Sequence, residues 1–460
     1  MRRFGILALV LVTACATTAV EVTTTTEPNT ASTPAPTTTQ PTAETPPAPD
    51  VPTGPLDPAA EEALSSMVDR VFTTAFDTGG LDPVVEAGDA RVAWLLADLL
   101  RFYQGGSQRD DLVAAFMALT GAEREFSTGP DFVWITNLLI SWDLPAWDGY
   151  PEMKRRVFAG IYEGWNPFFT EDYGVDWRLV TWGGVLADDR PFGDLRPCNC
   201  IPALDDPATT DAAGGDWYPD DRFVFGVVVN GEALALPKNQ MEVHEMVNLT
   251  LGGRDLGIPY CTLCGSAQAY YTDNVPGVDR VVLRTSGLLS RSNKVMYDFT
   301  TGSMFDTFTG RALTGPLGEA GMVLEQVSVT ASTWGEWKAT YPETRIIAED
   351  GGIGFTYPED PLGGRDAGGP IFPVGDVDPR LPVQELVVGV IAADGTAVAF
   401  PVAAATLALG SGRSVELGGL SVRNEGGLRV YDAEGTELVS HQSYWFAWSQ
   451  FHPGTLVWTP

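Results

Sequence analysis

Two stretches of the chain, FVFGVVVNGEALALP (223–237) and LVVGVIAADGTAVAFP (386–401), follow one pattern: an apolar run, a polar turn, a second apolar run and a closing proline. A second pair, WGEWKATYPETRII (334–347) and YWFAWSQFHPGTLVW (444–458), shares an aromatic-rich helical period and then an aromatic-Pro-x-Thr turn. Such a repeat constrains the fold strongly, because each copy must bury the same faces and so must build the same substructure. Asn230-Gly231 between two apolar runs signals a two-residue hairpin. The copies span about 223–347 and 386–458, and the second is shortened between its hairpin and its aromatic helix. What it lacks includes Cys261 and Cys264, which places the chemistry in the first copy and leaves the second as scaffold or wall.

The rest of the chain surrounds this repeat with two other characters. Within residues 58–178, AAEEALSSMVDRVFTTAF, DARVAWLLADLLRFY, RDDLVAAFMALTG, DFVWITNLLISW and PEMKRRVFAGIYEGW place apolar residues at helical spacing, separated by Gly or Pro. DARVAWLLADLLRFYQGG with RDDLVAAFMALTG has the look of a helical hairpin from an α-solenoid. After WRLVTWGG (177–184) the chain turns to short runs of Val, Tyr, Phe and Thr broken by Gly and Asp, with strands expected at 256–261, 266–272, 279–286, 294–299 and 304–308. The expected class is α+β: a solenoid-like helical domain (58–178), then a mainly antiparallel β domain (179–460) with a degenerate internal repeat. A protein partner for the helical domain is compatible with this layout.

The N-terminus addresses the chain. Arg2 and Arg3 precede FGILALVLV, an apolar run too short to span a bilayer, and Leu11-Val12-Thr13-Ala14-Cys15 resembles a bacterial lipobox. This predicts a signal peptide over 1–14, lipidation of Cys15 and an extracytoplasmic, membrane-anchored lipoprotein. Residues 15–57 are rich in Thr, Pro and Ala and too poor in apolar groups to offset the entropy of ordering, so they are expected to form a tether. A net charge of −32 opposes binding to nucleic acid and electrostatic docking to anionic lipid.

Soft ligands are scarce, with five cysteines and three histidines. Cys261-Thr262-Leu263-Cys264-Gly265 can direct two sulfurs to one point around a tight turn, as in a metal knuckle. The same spacing serves a disulfide outside the cytoplasm. GSAQAYY reads as a turn into a strand, which favours a metal or a static disulfide over thiol exchange. His244 lies just upstream in MEVHEMVN with Met246; an isolated histidine is as often satisfied by a buried neighbour. HEMVN ends in Asn where a zinc-protease helix needs its second His. His441 and His452 flank the last aromatic helix, too far apart along one straight helix to bind one ion. With Cys15 lipidated, Cys198, Cys200, Cys261 and Cys264 allow three disulfide pairings or a Cys₄ zinc site. Ser286, Arg291 and Asn293 can line a pocket or satisfy turn backbones. No phosphate loop, nucleotide fingerprint or Ser-His-Asp spacing stands out, and whether the protein is an enzyme is left open.

Together WGGV, IPALDDP (201–207), VNGEALALP, HEMVN, YCTLCGSAQAYY, SGLLSRSNKVMYDFTTGSMFDTFTGRALTGPL and YWFAWSQFHPGT resemble the bacterial exported-protein family called domain of unknown function 3179, over about 178–460. The helical region is similar to what often precedes that domain. The resemblance implies no activity. Against its pattern, ADDRPFGDLRPCNC between WGGV and IPALD looks like an addition, which sets Cys198 and Cys200 apart from a shared site. Three readings remain: a copper- or zinc-binding lipoprotein using Cys261, Cys264 and His244, with Met246, His441 or His452 as further ligands; a thiol-disulfide redox protein; and a non-catalytic binding or scaffold lipoprotein in which CxxC is a structural disulfide.

Overall fold

Asp57 and Pro58 start the first helix by simple chemistry: the Asp57 carboxylate accepts from the amides of Ala59 and Ala60, and proline occupies the first turn, where its missing N–H costs nothing. The computed structural model describes residues 45–460 except 74, 124–128, 171–172, 274 and 367. Six α-helices follow one another: α1 (Pro58–Val68), α2 (Asp82–Ala87), α3 (Ala93–Phe102), α4 (Gly106–Thr120), α5 (Asp131–Ser141) and α6 (Tyr150–Ile161). Every residue of α3 from Ala93 to Arg101 is buried, and α4, α5 and α6 all pack on it. A helix whose apolar residues run round its whole circumference, with only Asp98 and Arg101 charged, belongs at the centre of a cluster. The expected solenoid-like stack is therefore replaced by helices gathered around α3.

The helices are also continuous with the β structure. Their core takes in Val180, Leu288, Val295 and Tyr297 from the first sheet. Residues 45–57 contain no helix or strand, yet Leu56 is buried, Trp142 Nε1 donates to Pro46 O and Arg91 Nη1 donates to Gly54 O. The expected signal peptide, the expected lipidation site Cys15 and the expected tether as far as residue 44 lie outside the described residues. Among the described residues, no helix is long and apolar enough to cross a membrane.

Among the described residues the strands form five sheets. Sheet A orders Val180–Trp182, Leu283–Ser290, Asn293–Asp298 and Met304–Asp306. Sheet B orders Gln326–Val327, Ala269–Tyr271, Arg254–Cys261, Met246–Leu251 and Leu204–Asp205, with Ser266–Ala267 added to Arg254–Cys261. Sheet C orders Thr330–Thr333, Phe223–Val229, Glu232–Pro237, Arg345–Ile347 and Thr209–Asp211; sheet D orders Ser440–Tyr444, Leu386–Ile391, Ala397–Pro401 and Leu456–Val457. Sheet E orders Glu416–Leu417, Leu420–Asn424 and Leu428–Tyr431. A packs on B, B on C and D, C on D and E, and E on D, and the five sheets together make a five-bladed, propeller-like arrangement.

This corrects the expectation of one mainly antiparallel β domain organised by a degenerate repeat. The repeat describes two of the five blades. In sheets C and D alike, a hairpin receives one further strand antiparallel on its first strand and another parallel on its second. That parallel strand can be reached only by a crossover, and the aromatic helices Trp334–Thr340 and Trp445–Phe451 supply it. The Asn230-Gly231 turn forms as read, both residues at positive φ between Val229 and Glu232.

Candidate functional site

The segments IPALDDP, HEMVN and the strand entering SGLLSRSNKV meet at the seam of sheets A and B, where charge is buried. Arg284, fully buried on the strand Leu283–Ser290, donates from both Nη atoms to Asp205, at 2.9 and 2.7 Å, and from Nε to Arg190 O. Asn248 donates to the same Asp205 carboxylate. Arg190 donates to Asp188 from Nε at 2.6 Å and Nη2 at 2.9 Å; the Ala203 amide also donates to Asp188. Two guanidinium groups face two carboxylates and each is hydrogen bonded, the condition under which buried ions are tolerated. The strap of residues 188–205 is thereby fixed across the seam, helped by Tyr297 Oη donating to Asp188 O and Thr285 Oγ1 to Ile201 O.

His244 ends α7 (Lys238–His244) beside this seam. Its Nδ1 lies 2.7 Å from Pro202 O, which can only accept, so Nδ1 carries the proton and Nε2 accepts from Tyr357 Oη at 2.6 Å. Burial lowers its pKa, and the imidazole is held neutral. Both ring nitrogens are occupied. Met246 packs in the apolar cluster of Tyr270, Leu283, Met296 and Phe305.

Cys261 and Cys264 are joined by a disulfide. They are 3% and 1% exposed, packed with Phe308, Trp445, Phe446 and Trp448 in a cluster that includes neither His244 nor Met246. The expected Cys261–Cys264–His244 centre is thus not assembled: among the described residues, these three donors do not come within 4.8 Å of one another. α7 turns the imidazole toward the strap, whereas the CxxC turn faces sheet D, where Cys264 O accepts from Tyr444 N.

His441 and His452 do approach that cluster. His441 stands on the strand Ser440–Tyr444, not on the aromatic helix, and its ring lies 4.8 Å from Phe308 and 5.7 Å from Trp448. His452 caps the helix, 4.3 Å from Trp448. Burial lowers their pKa values to about 3 and about 4. The third group of candidates serves the backbone. Ser286 Oγ bonds to Val295 O, Arg291 donates to Val374 O and Asp376 O, and Asn293 donates to Arg291 O and to Gln450.

Cys198 and Cys200 are bonded to each other at the half-buried edge of the strap, where Asn199 O accepts from Leu186 N. Among the described residues, Asp188, Cys198 and Cys200 are the group of three donors whose ligand atoms lie within 4.8 Å of one another. A metal ion there would require both thiols reduced and would compete with Arg190 for Asp188.

Sequence reasoning missed Asp188, Arg190, Asp205, Arg284 and Tyr357. A signal for the first pair exists in the repeated spacing Asp-x-Arg: Asp89/Arg91, Asp176/Arg178, Asp188/Arg190 and Asp378/Arg380 all form the same local fork, with Arg Nε donating to the aspartate two residues back.

A family model described as Protein of unknown function (DUF3179) matches residues 198–422. The match is shorter than the region of resemblance, and it begins at Cys198, which puts the CxC pair inside it. No curated protein and no solved structure matches the chain.

Proposed function

This chain belongs to the DUF3179 family, and on that premise we propose that it is a non-catalytic binding or scaffold lipoprotein, anchored through Cys15 outside the cytoplasm. The observation that carries this reading is the burial of the Cys261–Cys264 disulfide within an aromatic cluster, away from His244. A reactive dithiol needs access and a group that stabilises its thiolate. Here the sulfurs face apolar rings and the Ser292 carbonyl oxygen, 3.9 and 3.6 Å away. The disulfide closes the CxxC turn of sheet B, and that turn holds sheet D through the Tyr444 amide on Cys264 O. A second disulfide suits the same oxidising compartment.

Thiol labelling of native envelope fractions under graded reductant tests this. Cys198 and Cys200 label first, while Cys261 and Cys264 label only together with unfolding. Ready labelling of Cys261 in the folded protein would instead establish the redox reading. Cys15→Ala releases the protein from the membrane fraction.

A second reading is favoured by the closeness of Asp188, Cys198 and Cys200: once reduced, the CxC pair takes a thiophilic ion, copper or zinc. Elemental analysis of the reduced protein and of Cys198→Ser decides it, with stoichiometric metal in the first and none in the second.

A further inference from the structure

Arg101, in the last turn of α3, is a buried cation with no carboxylate partner among the described residues. Only 9% of it is exposed; its Nε donates to Trp182 O at 2.8 Å. Its guanidinium carbon lies 4.9 Å from the ring centre of Phe132, 4.7 Å from Trp182 and 5.4 Å from Phe372. Its Nη groups have no protein partner among the described residues and are not sealed from water. With 60 acidic residues available to the chain, an unmatched guanidinium in a three-ring wall is unusual, because a desolvated cation is costly without an anion. Burial lowers its pKa to about 10, still far above neutrality, so the charge is retained.

We infer that Arg101 and its aromatic walls form a seat for a small organic carboxylate. A planar guanidinium presents parallel N–H groups that match a carboxylate, and flanking rings suit a ligand with an apolar body. A cavity of about 240 Å³ lined by Leu100, Gln104, Arg109, Pro130, Asp131 and Phe132 shares the Phe132 wall with the seat. In the cavity Arg109 is matched by Asp131 and Asp110, which leaves Arg101 as the cation open to an incoming anion. The WGGV motif builds the remaining side. Trp182 supplies a ring and a carbonyl, and Gly184, at φ +100°, passes so close that an added Cβ would lie 3.4 Å from Nη2. A side chain at 184 would crowd the approach. The seat lies in the helical region and sheet A, separate from both disulfides, so it stands or falls independently of the scaffold reading.

Isothermal titration of the full-length protein with sodium benzoate, and with sodium phosphate at matched ionic strength, tests the seat. Benzoate gives saturable binding to the unmodified protein. Binding is about tenfold weaker in Arg101→Lys, which keeps the charge but loses the fork, and is abolished in Arg101→Met. Phosphate, which lacks an apolar body, binds more weakly. Absence of saturable benzoate binding, or an Arg101→Lys affinity equal to that of the unmodified protein, overturns the proposal, and equal affinity for phosphate overturns the carboxylate assignment. Should Arg101→Met fail to fold, the unmodified protein and Arg101→Lys still decide.

Discussion

Sheets C and D share a four-strand arrangement, to which sheet C adds Thr209–Asp211, and around the buried tryptophan of each they differ at two matched positions. In sheet C, Gly226 stands opposite Thr330 and makes room for Trp337; in sheet D, Gly389 stands opposite His441 and makes room for Trp448. Each tryptophan donates from Nε1 to a threonine seven residues on, Thr344 at 2.9 Å and Thr455 at 2.7 Å. One turn past the tryptophan comes Tyr341 in sheet C and His452 in sheet D, packed on it at 4.5 and 4.3 Å. Glycine, tryptophan and threonine are the framework, held in both copies because the geometry admits little else. Where sheet C carries threonine and tyrosine, sheet D carries two imidazoles that burial holds neutral. The framework sets the blade, and the exchanged residues set its response to acid.

The largest expected effect tests the shared framework. Trp337→Ala and Trp448→Ala each remove a fully buried indole and should cost about 3–5 kcal/mol of unfolding free energy in a urea titration. Costs that differ by more than their scatter would mean the two blades are not equivalent. Next come Gly226→Ala and Gly389→Ala, whose new methyl groups would sit 2.2 and 2.1 Å from the tryptophan rings. Overpacking of this kind costs about 1–3 kcal/mol, here toward the upper end, and a double variant with Trp→Phe in the same blade should recover part of the loss.

The CxxC staple is where the two blades part company, because the CxxC turn holds sheet D through the Tyr444 amide. Replacing Cys261 and Cys264 by alanine should cost about 2 kcal/mol from loop closure over so short a span. Hydrogen exchange should then accelerate in Ser440–Tyr444 before it does in Thr330–Thr333. Equal acceleration in both strands would show that the staple supports the ring as a whole and not one blade.

The blades themselves were legible because local signals agree in each: hairpin turn, closing proline, helical aromatic period. Their assembly was not. All strands of sheets A and B except Val180–Trp182 and Leu204–Asp205 lie inside the span between Pro237 and Trp334, so most of two blades fills what the shortened second copy lacks, and no local pattern says how five sheets close. The central place of α3 was written in AWLLADLL, whose apolar residues run round the helix with Asp98 the one interruption, but a hairpin reading used only one face. At the site, CxxC was found as a pair, whereas its partner was misjudged. His244 is 17 residues upstream of Cys261 in the sequence, yet α7 sends it to Pro202 and Tyr357. The buried charges stayed hidden because an aspartate or arginine in a chain with so many acids carries no mark of its burial; only the Asp-x-Arg spacing does.

The smallest effect separates the blades most cleanly. A buried histidine with a pKa lowered from its unfolded value near 6.5 binds fewer protons when folded, so its contribution is present above pH 6.5 and is lost as the pH falls. For His452 the window runs from about 6.5 to about 4, and for His441 to about 3. Each proton taken up on unfolding changes stability by about 1.4 kcal/mol per pH unit. Asp306 works against them. Burial raises its carboxyl to about 6, so its folded form holds a proton that the unfolded chain gives up above about pH 4. The raw pH profile therefore mixes opposing slopes, and the difference between variants is the measure. His441→Thr and His452→Tyr rebuild in sheet D what sheet C carries at the matched positions. The double variant should lose less stability between pH 6.5 and 4.5 than the unmodified protein, in parallel urea titrations, while Thr330→Ser in sheet C leaves the slope unchanged. An unaltered slope in the double variant would mean that these imidazoles already reach water, and that the acid response belongs to groups outside sheet D.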